Sequence, residues 1–357
     1  MKTLSVLPFT AAYAMPALFL AVLYAPGGFQ APGSALQWTL LVPAYAFVLV
    51  PVLDRVMGDW RLEAAPDSKR SRGFDLLLEL WLPLQLVVLA AALHVVASRA
   101  LDPWELFSLG LGAGTVTGAG GITVAHELMH RSSRFHRALG ELLMATTLYA
   151  HFCVEHVHGH HRRVGTREDP ATARSGETVY AFLLRSSFGG LVSAWQIEGK
   201  RVQKRRDEGR ALRPWADRRW RYPAIQIALL ATAWAVAGSA GVLLFLLQAF
   251  VAVLLLEIVN YVEHYGLARE LRANGRPVRV EPRHSWNSNA GPSSAHLFLL
   301  TRHAHHHAEA SKPFDRLHAL PGSPMLPAGY PTMMLASLVP PLWFRWMDPR
   351  VAAALSS

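Results

Sequence analysis

The sequence predicts an all-α, polytopic membrane protein. Of its 357 residues, 52% are hydrophobic and 17% are charged, whereas soluble domains carry about 25% charged residues. Apolar windows of roughly 20 residues, the length that crosses a bilayer, recur along the chain. Polar segments rich in histidine separate several of these windows. We therefore expect one integral-membrane domain over residues 1–357.

Six windows are predicted to span the membrane, and the fifth of them is short. They lie near 5–24, 36–53, 76–97, 104–125, 222–237 and 240–261. Only Lys2 precedes the first window, and no small-residue cleavage pattern follows it, so we expect a retained helix rather than a signal peptide. The Gly/Pro-rich segment 25–35 predicts a tight turn into the second window.

The distribution of basic residues predicts the orientation of the chain. Segment 25–35 contains no Lys or Arg, whereas 54–73 contains five and 156–221 contains fifteen. Because basic residues accumulate on the cytoplasmic side, we expect both termini to lie in the cytoplasm. A catalytic face formed by 126–221 and 262–330 should then lie on the cytoplasmic side of a bacterial-type inner membrane. Tryptophans among the basic residues favour contact with lipid over nucleic acid.

Other apolar segments are predicted to lie at the interface or to pack helices together. Stretches 134–155 and 330–347 are apolar, but polar motifs flank the first and a Pro-Pro pair breaks the second. We therefore expect interfacial or re-entrant helices there. Gly110, Gly114 and Gly118 recur every four residues in the fourth window. This spacing favours close helix packing, with room for an apolar substrate as the alternative.

Most of the histidines fall in four short motifs. These are HELMHR at 126–131, EHVHGHH at 155–161, NYVEHYG at 260–266 and RHAHHH at 302–307. Residues at i and i+4 share a helix face. In the second motif we therefore expect His156 and His160 to bind one metal ion while His161 faces a neighbour. Four separate patches of imidazole predict one shared metal site.

The number of imidazoles predicts the metal chemistry. A single cysteine, Cys153, excludes a disulfide framework and thiolate-bound iron. Catalytic zinc uses about three protein ligands, whereas so many imidazoles exceed the needs of one ion and suit two irons with open positions. Glu127, Glu155 and Glu263 each adjoin a candidate ligand, where a carboxylate can orient a metal-bound ring. We therefore expect a non-haem di-iron centre that activates O₂.

The motifs together resemble those of one membrane enzyme family. HELMHR, EHVHGHH with REDPATAR, NYVEHYGL, HSWNSN and LTRHAHHHA are similar to motifs of the integral-membrane alkane 1-monooxygenases, or alkane hydroxylases. That family is related to xylene monooxygenase and to membrane fatty-acid desaturases. The resemblance implies that the metal ligands are His126, His130, His156, His160, His161, His264, His303, His306 and His307. The histidine of NYVEHYGL distinguishes this family from desaturases.

The resemblance also implies an activity and partners. Such enzymes take electrons from rubredoxin, which an NADH-dependent rubredoxin reductase reduces, and use O₂ to convert the terminal methyl of an alkane to a primary alcohol. Met129 and Arg131 instead resemble the xylene monooxygenase branch, and His305 stands where the family commonly has Asp. The alternatives are an alkyl-aromatic methyl hydroxylase, a fatty-acyl desaturase or hydroxylase and, in a different class, a metal transporter. Histidines at the ends of the apolar windows argue against the transporter.

Two predictions concern residues outside the implied ligand set. His158 and His305 fall between positions that satisfy the family pattern, so we expect neither to be a primary ligand. Eight basic residues after the central motif should partly bind anionic lipid and partly steer an acidic rubredoxin. These residues are Arg201, Lys204, Arg205, Arg206, Arg210, Arg213, Arg218 and Arg219.

Overall fold

A computed structural model of the chain describes residues 4–24, 36–60, 63–64, 69–210 and 213–356. Within these residues the backbone forms helices joined by loops, with no sheet in that part of the chain, which confirms the all-α prediction. The turn predicted at 25–35 lies outside the described residues.

Twelve helices organise the described part of the chain. They are α1 (Leu7–Tyr24), α2 (Gln37–Met57), α3 (Arg72–Ser98), α4 (Pro103–Met129), α5 (Arg134–Thr146), α6 (152–163), α7 (Val179–Asp207), α8 (Arg218–His264), α9 (Gly291–His296), α10 (His303–Ala308), α11 (Tyr330–Ser337) and α12 (Pro340–Ser356). By length and composition, five of the described helices can cross a membrane: α1, α2, α3, α4 and α8. Each overlaps at least one predicted window.

Helix α8 contains both the fifth and the sixth predicted windows. Its 47 residues are interrupted at Ala237 and Gly238, where Gly238 has φ +59°. Glycine adopts this left-handed conformation without steric cost. A Cβ on Gly241 would overlap the carbonyl oxygen of Ala233, so the chain reverses direction at the break. The single helical run is therefore two arms that pack against each other.

Helices α4 and α8 pack unusually closely through the glycines of α4. A Cβ on Gly110 would lie 2.5 Å from Leu247, and one on Gly114 would lie 2.7 Å from the carbonyl oxygen of Gln248. A Cβ on Gly118 would lie 2.8 Å from the Cα of Ala252. Neighbouring backbones approach this closely only where side chains are absent. These close contacts at Gly110, Gly114 and Gly118 confirm the helix packing that their spacing predicted.

The shorter helices bring the histidine motifs together. Helix α5 accounts for most of the predicted 134–155 segment, with Leu143 buried and Phe135 exposed as an amphipathic helix requires. The predicted break at the Pro-Pro pair is confirmed, because α12 begins at Pro340. The ends of α4 and α8 meet α6 and α10, and these four elements carry the histidine clusters.

Candidate metal centre

Five histidines from three elements form the first cluster, which we call group A. Its members are His126 and His130 at the end of α4, His156 and His161 on α6, and His306 on α10. One potential ligand atom from each lies within 4.8 Å of the others. Nε2 of His161 is 3.0 Å from Nε2 of His156 and 3.1 Å from Nε2 of His306. The rings therefore present their Nε2 atoms to a common centre.

Four histidines form the second cluster, group B, beside the first. They are His160 on α6, His264 at the end of α8, and His303 and His307 on α10. Nε2 of His303 is 3.1 Å from Nε2 of His264 and 3.0 Å from Nε2 of His307. Nε2 of His307 is 3.2 Å from Nε2 of His160. Groups A and B together contain all nine histidines that the sequence motifs indicated.

The pairing predicted within the central motif is wrong. His156 belongs to group A with His161, whereas His160 belongs to group B. Residues His156–His160 form a π-helical turn, which widens the turn to i→i+5 hydrogen bonding. Positions five apart then share a face, so His161 replaces His160 beside His156. The i, i+4 spacing does bring together His126 with His130 and His303 with His307. His306, three residues after His303, was expected to share the i, i+3, i+4 pattern of that motif but belongs to group A.

The donor set fits metal ions. The Nε2 atoms of His126 and His130 are buried and have no hydrogen-bond partner among the described residues. Unpaired buried nitrogens are costly, and a cation at the centre of group A would satisfy both of them. Imidazole nitrogens suit iron, copper, nickel and zinc. The geometry thus indicates a metal site, while the ligand role of each histidine stays a prediction.

Asp169 supports group B and was not singled out from the sequence. Nδ1 of His160 donates to Oδ2 of Asp169 across 2.8 Å, and the side chain of Asp169 is fully buried. The same oxygen accepts from the hydroxyl of Thr172 at 2.6 Å. Such a carboxylate holds one tautomer and directs the opposite nitrogen toward the metal. The available signal was the position of Asp169 in REDPATAR, directly after the central motif.

Burial and charge set the protonation of the imidazoles. Burial lowers the pKa of His130 to about 3 and takes the pKa of His156, His161 and His306 well below the ordinary value. These rings are neutral and can offer a lone pair. Burial is the largest single effect on His160 and opposes its protonation, but the carboxylates around it, Asp169 first and then Glu155 and Glu257, together raise its pKa.

The three predicted glutamates occupy different surroundings. Oε1 of Glu127 lies 2.6 Å from Arg131 and accepts from the backbone nitrogen of Phe314. Glu155 accepts from Arg163 at 2.7 Å; burial, followed by the charge of Asp169, raises its pKa to about 7. Neither contact reaches an imidazole. Oε2 of Glu263 lies 3.3 Å from Nε2 of His303, the same nitrogen that faces His264 and His307.

His158 and His305 lie outside both groups. Nε2 of His305 contacts Glu309 at 3.2 Å and Lys312 at 3.1 Å, and its Nδ1 accepts from the backbone nitrogen of His318. Its ring is therefore turned away from the other imidazoles. His158 is half-buried. These positions agree with the expectation that neither is a primary ligand.

An apolar cavity ends at the histidines. Its empty volume, counted together with the solvent space at its opening, is about 680 Å³. Its polar side chains come from His126, His156, Asn260 and Glu263, together with the hydroxyl of Thr123. The other lining residues are Ala46, Phe47, Gly118, Ala119, Ile122, Leu255, Leu256, Val259, Leu297, Leu300, Pro331 and Met334. The cavity thus joins an apolar space between α2, α4, α8 and α11 to group A.

Comparison with known proteins identifies the family. The fatty acid desaturase family model matches residues 102–336. The chain is 41% identical to alkane 1-monooxygenase 1 of Pseudomonas aeruginosa over 88% of this chain and 84% of that protein. It is 34% identical to alkane 1-monooxygenase of Acinetobacter baylyi over 87% of this chain and 76% of that protein. The chain belongs to the alkane 1-monooxygenase family.

Membership of the alkane 1-monooxygenase family makes the protein an integral-membrane oxidoreductase of the monooxygenase type. It also argues against the metal-transporter alternative. A weaker relationship connects the chain to the xylene/toluene monooxygenase hydroxylase component of Pseudomonas putida, at 27% identity over 68% of this chain and 63% of that protein. The identity is higher to the alkane 1-monooxygenases than to the xylene/toluene monooxygenase component. This agrees with the sequence motifs, which combine features of both branches.

Proposed function

We propose that this protein hydroxylates the terminal methyl group of alkanes to primary alcohols at a centre of two irons. The observation that carries the proposal is the apolar cavity that ends at His126 and His156 of group A. An alkane has no polar handle, so its position depends on the length and shape of such a cavity. Each methylene is worth only about 1–3 kcal/mol of discrimination in an apolar pocket.

The helices that line the cavity give it a long axis. Gly118 and Ile122 precede His126 by two turns and one turn of α4, and Leu255 and Val259 precede Glu263 similarly on α8. At 1.5 Å per residue, eight residues correspond to about 12 Å. An extended alkyl chain along this axis places a terminal methyl at the histidine end.

Each histidine group holds one iron in this proposal. Five imidazoles of group A and four of group B bind the ions, and Asp169 orients His160. Iron held by neutral nitrogen ligands with an open position would supply the redox chemistry that activates O₂. The apolar lining keeps bulk water from the reacting methyl group.

Electrons come from rubredoxin and its NADH-dependent reductase in the proposed scheme. Of the basic residues after the central motif, Arg201, Arg218 and Arg219 pair with Glu198, Glu141 and Asp217. By contrast, Lys204, Arg205 and Arg206 are exposed in the last turn of α7. A cationic helix end suits a small acidic electron carrier, because complementary charge raises the association rate.

The proposed topology has six spans, with α1 to α4 crossing once each and α8 crossing twice. The break at Ala237 and Gly238 supports two crossings, since the two arms of α8 pack against each other. The basic end of α7 and the basic residues at the start of α8 favour a cytoplasmic location for the histidines. In a bacterial cell this corresponds to the inner membrane.

Hydroxylation of methyl groups on alkyl-aromatics is the second candidate function. Its support is the 27% identity to the xylene/toluene monooxygenase hydroxylase component. Desaturation of a charged acyl carrier has less support, because no Lys or Arg is among the described residues that line the cavity. An apolar cavity without a cation favours substrates that have no charged headgroup.

Product analysis in cells that express the protein with a rubredoxin and its reductase tests the proposal. Octane, p-xylene and a fatty acid are supplied separately under ¹⁸O₂, and extracts are examined by gas chromatography and mass spectrometry. We expect ¹⁸O-labelled 1-octanol as the main product. Preferential oxidation of p-xylene would favour the second candidate, and an unsaturated acyl chain without label would contradict hydroxylation.

A further inference from the structure

A second cavity lies where α7 crosses the start of α8, and we propose that it binds the phosphate of an anionic phospholipid. Its empty volume is about 390 Å³. The lining residues are His151, Val154, Leu191, Ala194, Trp195, Glu198, Arg218, Arg219, Tyr222, Pro223 and Gln226. None of the nine clustered histidines is among them, so this cavity is separate from the metal centre.

Two nitrogens at this cavity are buried without a hydrogen-bond partner among the described residues. They are Nε2 of His151 and Nε2 of Gln226. Burial lowers the pKa of His151 to about 4, so its ring is neutral near pH 7 and one ring nitrogen carries a proton. The amide nitrogen of Gln226 is a donor, and Nε2 of His151 is one in the tautomer that carries the proton there. Unpaired buried nitrogens are exceptions that call for a bound partner.

The charged residues of the cavity favour an anion as that acceptor. Glu198 is its one carboxylate among the described lining residues. Oε2 of Glu198 already accepts from Arg201 at 2.7 Å, and Oε1 accepts from the backbone nitrogen of Arg218 at 3.0 Å. Arg218 and Arg219 also line the space, and their guanidinium groups pair with Glu141 and Asp217. The lining therefore holds two guanidinium groups against one carboxylate, together with two unpaired buried nitrogens, and these groups can recognise a phosphate.

An exposed apolar stripe on α7 indicates that the phosphate belongs to a lipid. Leu184, Phe188 and Val192 are spaced by four residues and are 66%, 70% and 56% exposed. The stripe continues through Leu191 and Trp195, which also line the cavity. Residues four apart share a helix face, so an acyl chain can lie along α7 while its headgroup enters the cavity.

Tryptophan at the mouth of the cavity agrees with this placement. The ring of Trp195 lies 6.1 Å from the ring of Trp220, and Trp220 is 67% exposed on the first turn of α8. Tryptophans concentrate at the depth of lipid headgroups in membrane proteins. A free phosphate ion would leave the stripe uncovered, whereas a phospholipid occupies both the donors and the stripe.

Native mass spectrometry and thermal unfolding of the purified full-length protein in detergent test this proposal. The probes are dioleoyl phosphatidylglycerol, dioleoyl phosphatidylcholine and inorganic phosphate. We expect one phosphatidylglycerol to bind with saturation and to raise the unfolding temperature. Phosphatidylcholine should bind at least about tenfold more weakly, and inorganic phosphate should have no effect at the same concentrations.

Three variants locate the site. Gln226→Glu keeps the shape of the side chain but places a negative charge at the phosphate, and His151→Phe removes the second donor. Each should weaken phosphatidylglycerol binding by about tenfold or more. Gln203→Leu, an exposed position on α7 outside the cavity, is the matched control and should bind like wild type. Metal content near the wild-type value shows that a variant is folded.

Three results would overturn the proposal. Equal retention of phosphatidylglycerol by wild type and Gln226→Glu would place the lipid elsewhere. Equal binding of both phospholipids would contradict recognition of net negative charge. Stabilisation by inorganic phosphate alone would assign the cavity to a free anion. None of these readouts depends on hydroxylation, so they test the cavity independently of the proposed function.

Discussion

Oδ2 of Asp169 accepts a hydrogen bond from Nδ1 of His160 across 2.8 Å, and both side chains are buried. This contact leaves Nε2 of His160 facing His307 at 3.2 Å. The Asp169 carboxylate therefore acts on the metal site through the ring of His160, and neither residue lines the apolar cavity. It orients one donor of group B and makes that donor more basic.

Replacing Asp169 should weaken metal binding without removing a ligand. In Asp169→Ala, His160 loses its carboxylate hydrogen bond and its preferred tautomer, so the affinity of group B should fall by about 10–100-fold. The measurement is the rate and extent of iron loss to a chelator. Asp217→Asn changes a buried aspartate that pairs with Arg219 away from the histidines, and it should lose iron like wild type. Equal loss from Asp169→Ala and wild type would contradict an orienting role.

His305 and His303 provide a matched pair on α10. His303→Asn should remove a group B donor and lower bound iron substantially, because its Nε2 contacts both His264 and His307. His305→Asn should keep most iron, because its ring bonds to Glu309 and His318 instead. We expect His158→Asn to behave like His305→Asn. Elemental analysis of the purified variants measures the bound iron. Loss of a whole iron from His305→Asn or from His158→Asn would place that residue in the ligand set.

The length of the cavity should set the preferred chain length. Leu255 lies two turns of α8 from Glu263 and contacts the position of Gly118, at the end away from the histidines. Leu255→Phe should lower the ratio of dodecane to octane turnover by about tenfold or more, because lost methylene contacts each cost about 1–3 kcal/mol. Leu255→Ala should raise that ratio.

Leu246→Phe is the control for this prediction, since Leu246 lies on the same helix but is 44% exposed and does not line the cavity. Its product profile should match wild type. Competition assays with both alkanes in one vessel give the ratios directly. Unchanged ratios in both Leu255 variants would show that the reacting chain does not occupy this cavity.

Electron transfer from rubredoxin should depend on salt through the end of α7. The Debye length shortens from roughly 30 Å at 0.01 M to about 8 Å at 0.15 M, so turnover at limiting rubredoxin should fall over this range. Turnover at saturating rubredoxin should change little. The double variant Arg205→Glu, Arg206→Glu should flatten the salt dependence. Arg272→Glu with Arg276→Glu, in the exposed loop after α8, is the charge-matched control, and a flattened curve there would place docking elsewhere.

The sequence predicted which histidines form the metal site but not how they are divided between group A and group B. Helical spacing was sufficient for His126 with His130, because α4 is regular after its glycine-rich segment. It failed for His156 with His160, because the π-helical turn at that point changes which positions share a face. Apolar periodicity alone does not reveal a single wider turn.

The spacing of residues in the sequence could not predict the contact of Asp169 with His160 either. Asp169 follows His160 by nine residues and reaches it only because the loop after α6 folds back. The break in α8 was easier to place, since Gly238 falls between two apolar windows and permits the φ value that the reversal needs. The lining of the cavity comes from α2, α4, α8 and α11 together, so only the packed structure defines it.

Metal analysis of wild type and His264→Ala tests the central claim, two irons held by two groups of histidines. His264 is one of the four histidines of group B among the described residues, so its loss should empty that group and leave group A intact. We predict about two irons per chain in wild type and about one in His264→Ala, with no hydroxylation of octane by the variant. Full iron occupancy with normal turnover in His264→Ala, or a wild-type enzyme that is active with zinc and no iron, would contradict the account.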